Sequence, residues 1–392
     1  WLAAHADKPQ PDAQLRYAEL LDTAERDAEL GTFLAGIDPA TLGADQRAER
    51  QDLQDRLALR EADRARALGD FTTARAKLDP LLSRQPPDKR ALSMLGDLYF
   101  DERRFDDARK IAQAQLRQDP NDQDARLSLV RVLYEMQDDA AANRELDRAL
   151  AEASPSDVWT QLGVVRRLTA MDRFDEAIAL NDTLRTQFPD TPAVTVQRGR
   201  IAQSQRHYRE AKGWYDQARK EEIVQGALPG YDGMTSAESA IDSLEARRNS
   251  YVAAGYEIDE KKGDGGISMF NARAVPVYGQ YALGYDGHVF AQTDYVSADA
   301  GDLPLNGTSE FGTLPLLNVP AFRAANPGVL GDYGTKRQKA HGQALMLGYE
   351  NDWIRADVGH TPVGFPISYV TGGVRLFGNV GRYHYWVDAS RR

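Results

Sequence analysis

The chain has 392 residues with 48 basic and 59 acidic side chains and a net charge of -11. It shows no cationic stripe, which excludes a nucleic-acid partner, since phosphate binding needs clustered Lys and Arg to displace counterions. It has no cysteine, so disulfides, thiolate metal sites and thiol nucleophiles are absent, and no run of 18 apolar residues that would span a bilayer as a helix.

Composition changes near residue 222. Of the 32 glycines, 24 lie beyond it, whereas the first part is about one-third charged, as solvated helices are. Residues 11–58 carry two stretches of helical periodicity, "AQLRYAELLDTAERDAELGTFLAGI" and "ADQRAERQDLQDRLALREA", joined by a turn at "DPATLGA". They read as one helix pair, a divergent repeat with an insertion. From 60 to 222 a pattern returns about every 34 residues. Ala74, Ala108, Ala142, Ala177 and Ala211 follow one another at 34, 34, 35 and 34, and Phe71, Phe105, Phe174 and Tyr208 stand three before four of them. Pro86, Pro120 and Pro189 stand twelve after, and Gly96, Gly163 and Gly199 lie upstream. The alanines and glycines admit close approach of two antiparallel helices, and proline ends the second one. This resembles the tetratricopeptide repeat, a helix pair with a 34-residue period. The expected fold is an α-helical solenoid over residues 1–222, with Ala74, Gly96, Ala108, Ala142, Gly163, Ala177, Gly199 and Ala211 as its packing residues.

Charged runs such as "DERRFDDARK" supply helix pairs like Asp106 and Lys110, and the adjacent Glu221 and Glu222 read as solvated. Residues 223–249 read as a linker with a last helix at Ser236 to Arg248. Beyond 250 the period becomes two: Val289, Ala291 and Tyr295 alternate with His288, Gln292 and Asp294; Ile354, Ala356 and Val358 with Arg355 and Asp357; Tyr383, Tyr385 and Val387 with Arg382, His384 and Asp388. Seven strand-like segments are expected, near 250–260, 271–283, 286–298, 340–350, 352–359, 366–377 and 381–389. Two architectures fit, a soluble sandwich and a transmembrane barrel with a lipid-facing outer side and a polar lumen. Strand lengths of about ten residues, tyrosines at strand ends and a long polar loop at 299–338 suit the barrel.

"DYVSADAG", "DVGHTPVGFPISYVTGGVR" and "YWVDASRR" resemble the start of the barrel domain in the BcsC family, the outer-membrane subunit of bacterial cellulose synthases. Gly359, Thr361, Pro362, Gly364, Phe365, Gly372 and Gly373 carry the resemblance, and His360 departs from it. In that family tetratricopeptide repeats precede the barrel, as here. The resemblance implies a bacterial envelope protein with periplasmic repeats over 1–222 and, over 250–392, the N-terminal strands of an outer-membrane β-barrel. Its partners would be the cellulose chain, the inner-membrane synthase or its periplasmic subunit, and peptidoglycan. Both ends are expected to be cut from a longer protein, and seven strands fall short of the eight or so that close a barrel.

No catalytic chemistry is expected. His5, His207, His288, His341, His360 and His384 are scattered without metal spacing, no nucleophile elbow or phosphate loop occurs, and no cofactor is implied. The Asn306-Gly307-Thr308 sequon reads as coincidence. Strand alternation nominates Gln292, Asp294, Arg355, Asp357, Arg382 and His384 as a lumen face along a polysaccharide path, with Trp386 as a sugar platform. Two alternatives stand beside cellulose export: a porin for another exopolysaccharide such as poly-N-acetylglucosamine, and a periplasmic protein scaffold.

Overall fold

A computed structural model describes residues 11–230, 233–265, 268–302, 337–365, 368–380 and 383–391. His5, Asn306, Gly307, Thr308 and Arg382 lie outside these. The chain packs as two compact units, Trp1–Pro189 and Asp190–Arg392.

The first unit is helical: α1 (Pro11–Thr23), α2 (Asp27–Ala35), α3 (Ala44–Ala67), α4 (Phe71–Leu82), α5 (Lys89–Asp101), α6 (Phe105–Gln118), α7 (Gln123–Glu135), α8 (Asp139–Glu152), α9 (Val158–Ala170) and α10 (Phe174–Gln187). The first periodic stretch is thus two helices rather than one. The chain turns at Glu25, which takes a left-handed φ of 52°, and the N–H of Arg26 donates back to Leu21. Leu15, Leu21, Leu30, Leu34 and Leu53 then share one core, which includes α3 as well.

From α3 onward the helices alternate in pairs. Aspartates at 70, 88, 122, 138 and 157 accept hydrogen bonds from the first-turn N–H groups of α4, α5, α7, α8 and α9, each cap worth about 1 kcal/mol. Within each repeat the turn between the two helices holds one left-handed residue: Gly69, Arg103, Gln137 and Asp172 in this unit, with φ between 59° and 77°. Ala74, Ala108, Ala142 and Ala177 are buried at the helix crossings. A Cβ on Gly96 would rest 3.5 Å from Ile111, while one on Gly163 would lie 2.6 Å from Leu127. The charged surface pairs differently from the sequence expectation, since Asp106 binds Arg109 and Lys110 binds Asp107, each three residues apart.

The second unit opens with α11 (Pro192–Ser204), α12 (Tyr208–Gln225) and α13 (Ser236–Glu245), whose end tightens into a single 3-10 turn, Ala246–Arg248. Arg206 holds the left-handed position in the turn between α11 and α12. Ala211 is buried, and Gly199 lies under the ring of Tyr215. Glu222, expected in solvent, is buried instead. Its carboxylate accepts from the N–H of Ala237 at 3.2 Å, meeting the unsatisfied donors at the start of α13.

An antiparallel sheet follows: β1 (Tyr251–Ala254), β2 (Glu257–Lys261), β3 (Phe270–Ala282), β4 (His288–Asp302), β5 (Arg337–Glu350), β6 (Ile354–Val363), β7 (Val370–Val380) and β8 (Tyr383–Arg391). Its order is β1-β3-β4-β5-β6-β7-β8, with β2 also on β3. Among the described residues the strands number eight rather than seven because the first expected one breaks at Gly255. Opposite the break stands Pro276, which accepts from the N–H of Gly255 at 2.9 Å but has no N–H to return, so the ladder is interrupted there. β1 and β8 lie at opposite edges, and the sheet is open.

Candidate functional site

Residues directly across an antiparallel ladder share a face, so the register sorts every strand residue to one side. Tyr278 pairs with Gln292, Gln292 with Met346, Met346 with Gly359 and Gly359 with Thr371; Phe290 pairs with Gly348, Gly348 with Asp357 and Asp357 with Gly373. Glu350 pairs with Arg355, Arg355 with Arg375, Arg375 with Asp388, and Phe377 with Trp386. Gln292, Asp294, Arg355, Asp357, His384 and Trp386 therefore lie on one face of the sheet.

The opposite face carries Val289, Ala291, Tyr295, Leu345, Leu347, Val358, Val374, Leu376, Tyr385 and Val387. These side chains are apolar and bare: Leu347 is 52%, Val358 58% and Val387 62% exposed. A water-soluble protein rarely leaves so much contiguous apolar surface uncovered.

On the polar face charges are paired. Arg355 donates to Glu350 at 2.9 Å, Arg375 to Asp388 at 3.2 Å, Gln292 to Asp294 at 3.0 Å, and His384 Nδ1 sits 2.7 Å from the side-chain amide of Asn379. A row of flat groups crosses the strands among them. Tyr251 lies 5.8 Å from Tyr278, Tyr278 stacks 6.0 Å from Phe290, and the Arg355 guanidinium covers Phe290 at 4.7 Å. Phe290 reaches Arg355 by lying in the place of the missing side chain of Gly348, whose Cβ would fall 2.3 Å from the ring. Tyr278 and Phe290 were not picked out from the sequence, although "HVFAQ" places Phe290 among the alternating residues His288, Val289, Ala291 and Gln292.

At the α13 end of this face the β5–β6 turn meets α12 and the 3-10 turn. Asp352 accepts from the Tyr208 hydroxyl and from Arg247 at 2.8 Å, and Arg206 donates to the Asp352 carbonyl at 3.0 Å and lies over the Trp353 ring at 4.2 Å. Arg247 covers the Tyr208 ring at 4.0 Å. A second set ties the β3–β4 turn: Tyr285 donates to Glu245, and Arg209 pairs with Asp286 at 2.7 Å. Burial pushes the Asp352 carboxyl up, but the Tyr208 hydroxyl and Arg247 favour its ionised form more and hold it below its ordinary 3.8. Burial, followed by the Asp352 charge, pushes the Tyr208 hydroxyl up to about 12.

The signs set a pH window. A depressed carboxyl stabilises the fold above its unfolded value and stops doing so as pH falls through its lower folded one; a raised hydroxyl stabilises below its ordinary 10.0 and is lost as pH rises from there to about 12. The turn is expected to stay docked from roughly pH 4 to 10 and to loosen outside those limits. Asp352→Asn is expected to weaken docking by about 1–2 kcal/mol across that window and to remove its acid limb. Hydrogen exchange of the Trp353 and Ile354 amides, which donate to Asn351 within the turn, reads both effects.

Residues 268–392 match the family described as the cellulose synthase operon protein C C-terminus, and residues 59–123 and 100–165 match tetratricopeptide repeats. A cellulose synthase operon protein C of Komagataeibacter xylinus is 25% identical over 394 residues, covering 93% of this chain and 30% of the relative. That of Pseudomonas fluorescens (strain SBW25) is 22% identical over 431 residues, covering 98% and 32%. Among solved structures, a thermophilic tetratricopeptide repeat protein of Thermus thermophilus aligns at 19% identity with a TM-score of 0.37, over 48% of this chain and 98% of that one. The chain spans about 30% of the length of these curated relatives. The resemblance to the BcsC family thus runs along the array and the sheet, and residues 268–392 match that family's C-terminal segment, preceded by tetratricopeptide repeats.

Proposed function

We propose that this chain is part of an export path for cellulose, with its repeats in the periplasm and its sheet forming part of the wall of an outer-membrane channel. The observation that carries this reading is the sidedness of the sheet. From β3 to β8 one face carries a bare band of apolar side chains, interrupted by Thr293 and His360, while the other presents paired charges, amides and aromatic rings, on strands long enough to cross an outer membrane at a tilt. Lipid meets the first face and the polymer passes the second. A neutral glucan offers hydroxyls and flat apolar ring faces, which amides, paired charges and aromatic groups complement without one strong anchor. The names of the relatives support cellulose over other polymers.

In this reading the porin catalyses nothing. Polymer extension by an inner-membrane synthase drives the chain, and the repeats contact that synthase, its periplasmic subunit or peptidoglycan. Gln292, Asp294, Arg355, Asp357, Arg382 and His384 line the path, and Trp386 serves as a sugar platform. The test is a strain deleted for the full gene, scored by glucose oligomers that purified endoglucanase releases from secreted polymer. Release is expected to vanish and to return on complementation. Unchanged release would refute cellulose export, and loss of an N-acetylglucosamine polymer instead would assign the porin to that polysaccharide. Complementation with Trp386→Ala is expected to restore less than half of the polymer at equal protein level; full restoration removes Trp386 from the path.

A further inference from the structure

At the α13 end of the polar face, a cavity of about 430 Å3 lies between the 3-10 turn and the ends of β1, β3, β4 and β5. That volume falls within the roughly 300–1,000 Å3 that small-ligand sites occupy. Its apolar part is flat: Tyr251, half exposed, stands at one side, and Phe290 lies at the floor, held over Gly348. Its rim is polar, with Gln280, His288, Glu350 and Asn351 among the lining groups.

The rim is also electrically balanced. Glu350 is paired with Arg355, and Asp352 with Arg247 and the Tyr208 hydroxyl. His288 donates from Nε2 to the Arg247 carbonyl at 2.8 Å, which fixes the ring against the 3-10 turn. Gln280 accepts from the Tyr278 hydroxyl at 3.2 Å and keeps its amide N–H groups for a ligand. A cationic sugar would find each carboxylate already neutralised, and an anionic one would find each guanidinium engaged.

We infer that this cavity is a binding subsite for one pyranose unit of a neutral β-linked glucan, with Tyr251 as the stacking platform and Gln280, His288 and Glu350 as hydroxyl partners. It rests on the export reading and adds to it a place, at the helical end of the channel face, where the polymer first engages the sheet. It also names what the site rejects, an amino-sugar polymer.

The experiment is calorimetric titration of the full-length protein in detergent with cellohexaose and, separately, with a glucosamine hexamer. Cellohexaose is expected to bind and the glucosamine hexamer to bind at least about tenfold more weakly. Tyr251→Ala and Gln280→Leu are each expected to weaken cellohexaose roughly tenfold, the loss of one stacking face or one amide pair. Tyr251→Phe, which keeps the platform, is expected to bind like the wild type, and a circular dichroism spectrum of Tyr251→Ala that matches the wild type shows that the alanine variant has not merely unfolded. Cellohexaose binding that is absent in the wild type, or unchanged in both weakening variants, overturns the subsite, as does preference for the glucosamine hexamer. Polymer secretion by the complemented deletion strain judges the export reading separately. Secretion of cellulose with unchanged binding by the variants refutes the subsite alone.

Discussion

Replacing Tyr215 by alanine is expected to destabilise the second unit by about 3–5 kcal/mol, the usual loss for a fully buried aromatic ring. Tyr215 is 0% exposed, and its ring packs with Val196, Ala202, Tyr208, Ala211 and Ala218. Its hydroxyl donates to Gln203 at 2.6 Å. Tyr215→Phe is therefore expected to cost only about 1 kcal/mol, the hydrogen bond without the packing. Thermal unfolding followed by circular dichroism, with hydrogen exchange resolved to α11 and α12, separates the two. The reciprocal half of the contact is Gly199, where a Cβ would stand 2.4 Å from the Tyr215 ring. Gly199→Ala is expected to destabilise the wild type and to be nearly neutral in the Tyr215→Ala background. Additive effects in that double-mutant cycle would refute the direct contact.

Val358→Arg is expected to prevent membrane assembly, at a cost of about 2–4 kcal/mol near the bilayer midplane. Val358 is the fifth of ten residues in β6, on the apolar face, and 58% exposed. Thr371→Arg is the matched control, one strand away but on the polar face, where Thr371 pairs with Gly359. The control is expected to reach the outer-membrane fraction in a protease-resistant form at near wild-type level, while the Val358 variant accumulates as degraded or soluble material. Equal behaviour of the two variants would mean that the apolar face does not meet lipid, and a soluble sandwich would then be the better reading.

Local periodicity made much of this fold legible. The 34-residue spacing of small residues sufficed for the helix pairs, because a close helix crossing favours Gly or Ala, although α7 carries the buried Val130 at the position of Gly96. Period two in "HVFAQTDY" and "WIRADVG" separated Gln292, Asp294, Arg355 and Asp357 from their apolar neighbours, and pairing across the ladder brings those four onto one face. What escaped were features set by partners distant in sequence. The break between β1 and β2 is caused by Pro276, about twenty residues on. Glu222 reads as solvated until α13 begins above it. The left-handed turn residue recurs at 34, 34, 35 and 34, yet it is Gly, Arg, Gln, Asp and Arg in succession, so no residue type marks it. Asp352 meets Arg247 and Tyr208 across separations of 105 and 144 residues, a cluster that no spacing rule detects.

That cluster also determines how load would travel. Covalently, α12 reaches β1 only through residues 226–250, whereas Tyr208 and Arg206 grip the β5–β6 turn directly. A pull on the N-terminal end of α12 is therefore felt in β5 and β6 before the intervening chain draws taut. Side chains from three separate parts of the sequence act as the tether, and tension in the helices becomes shear between neighbouring strands.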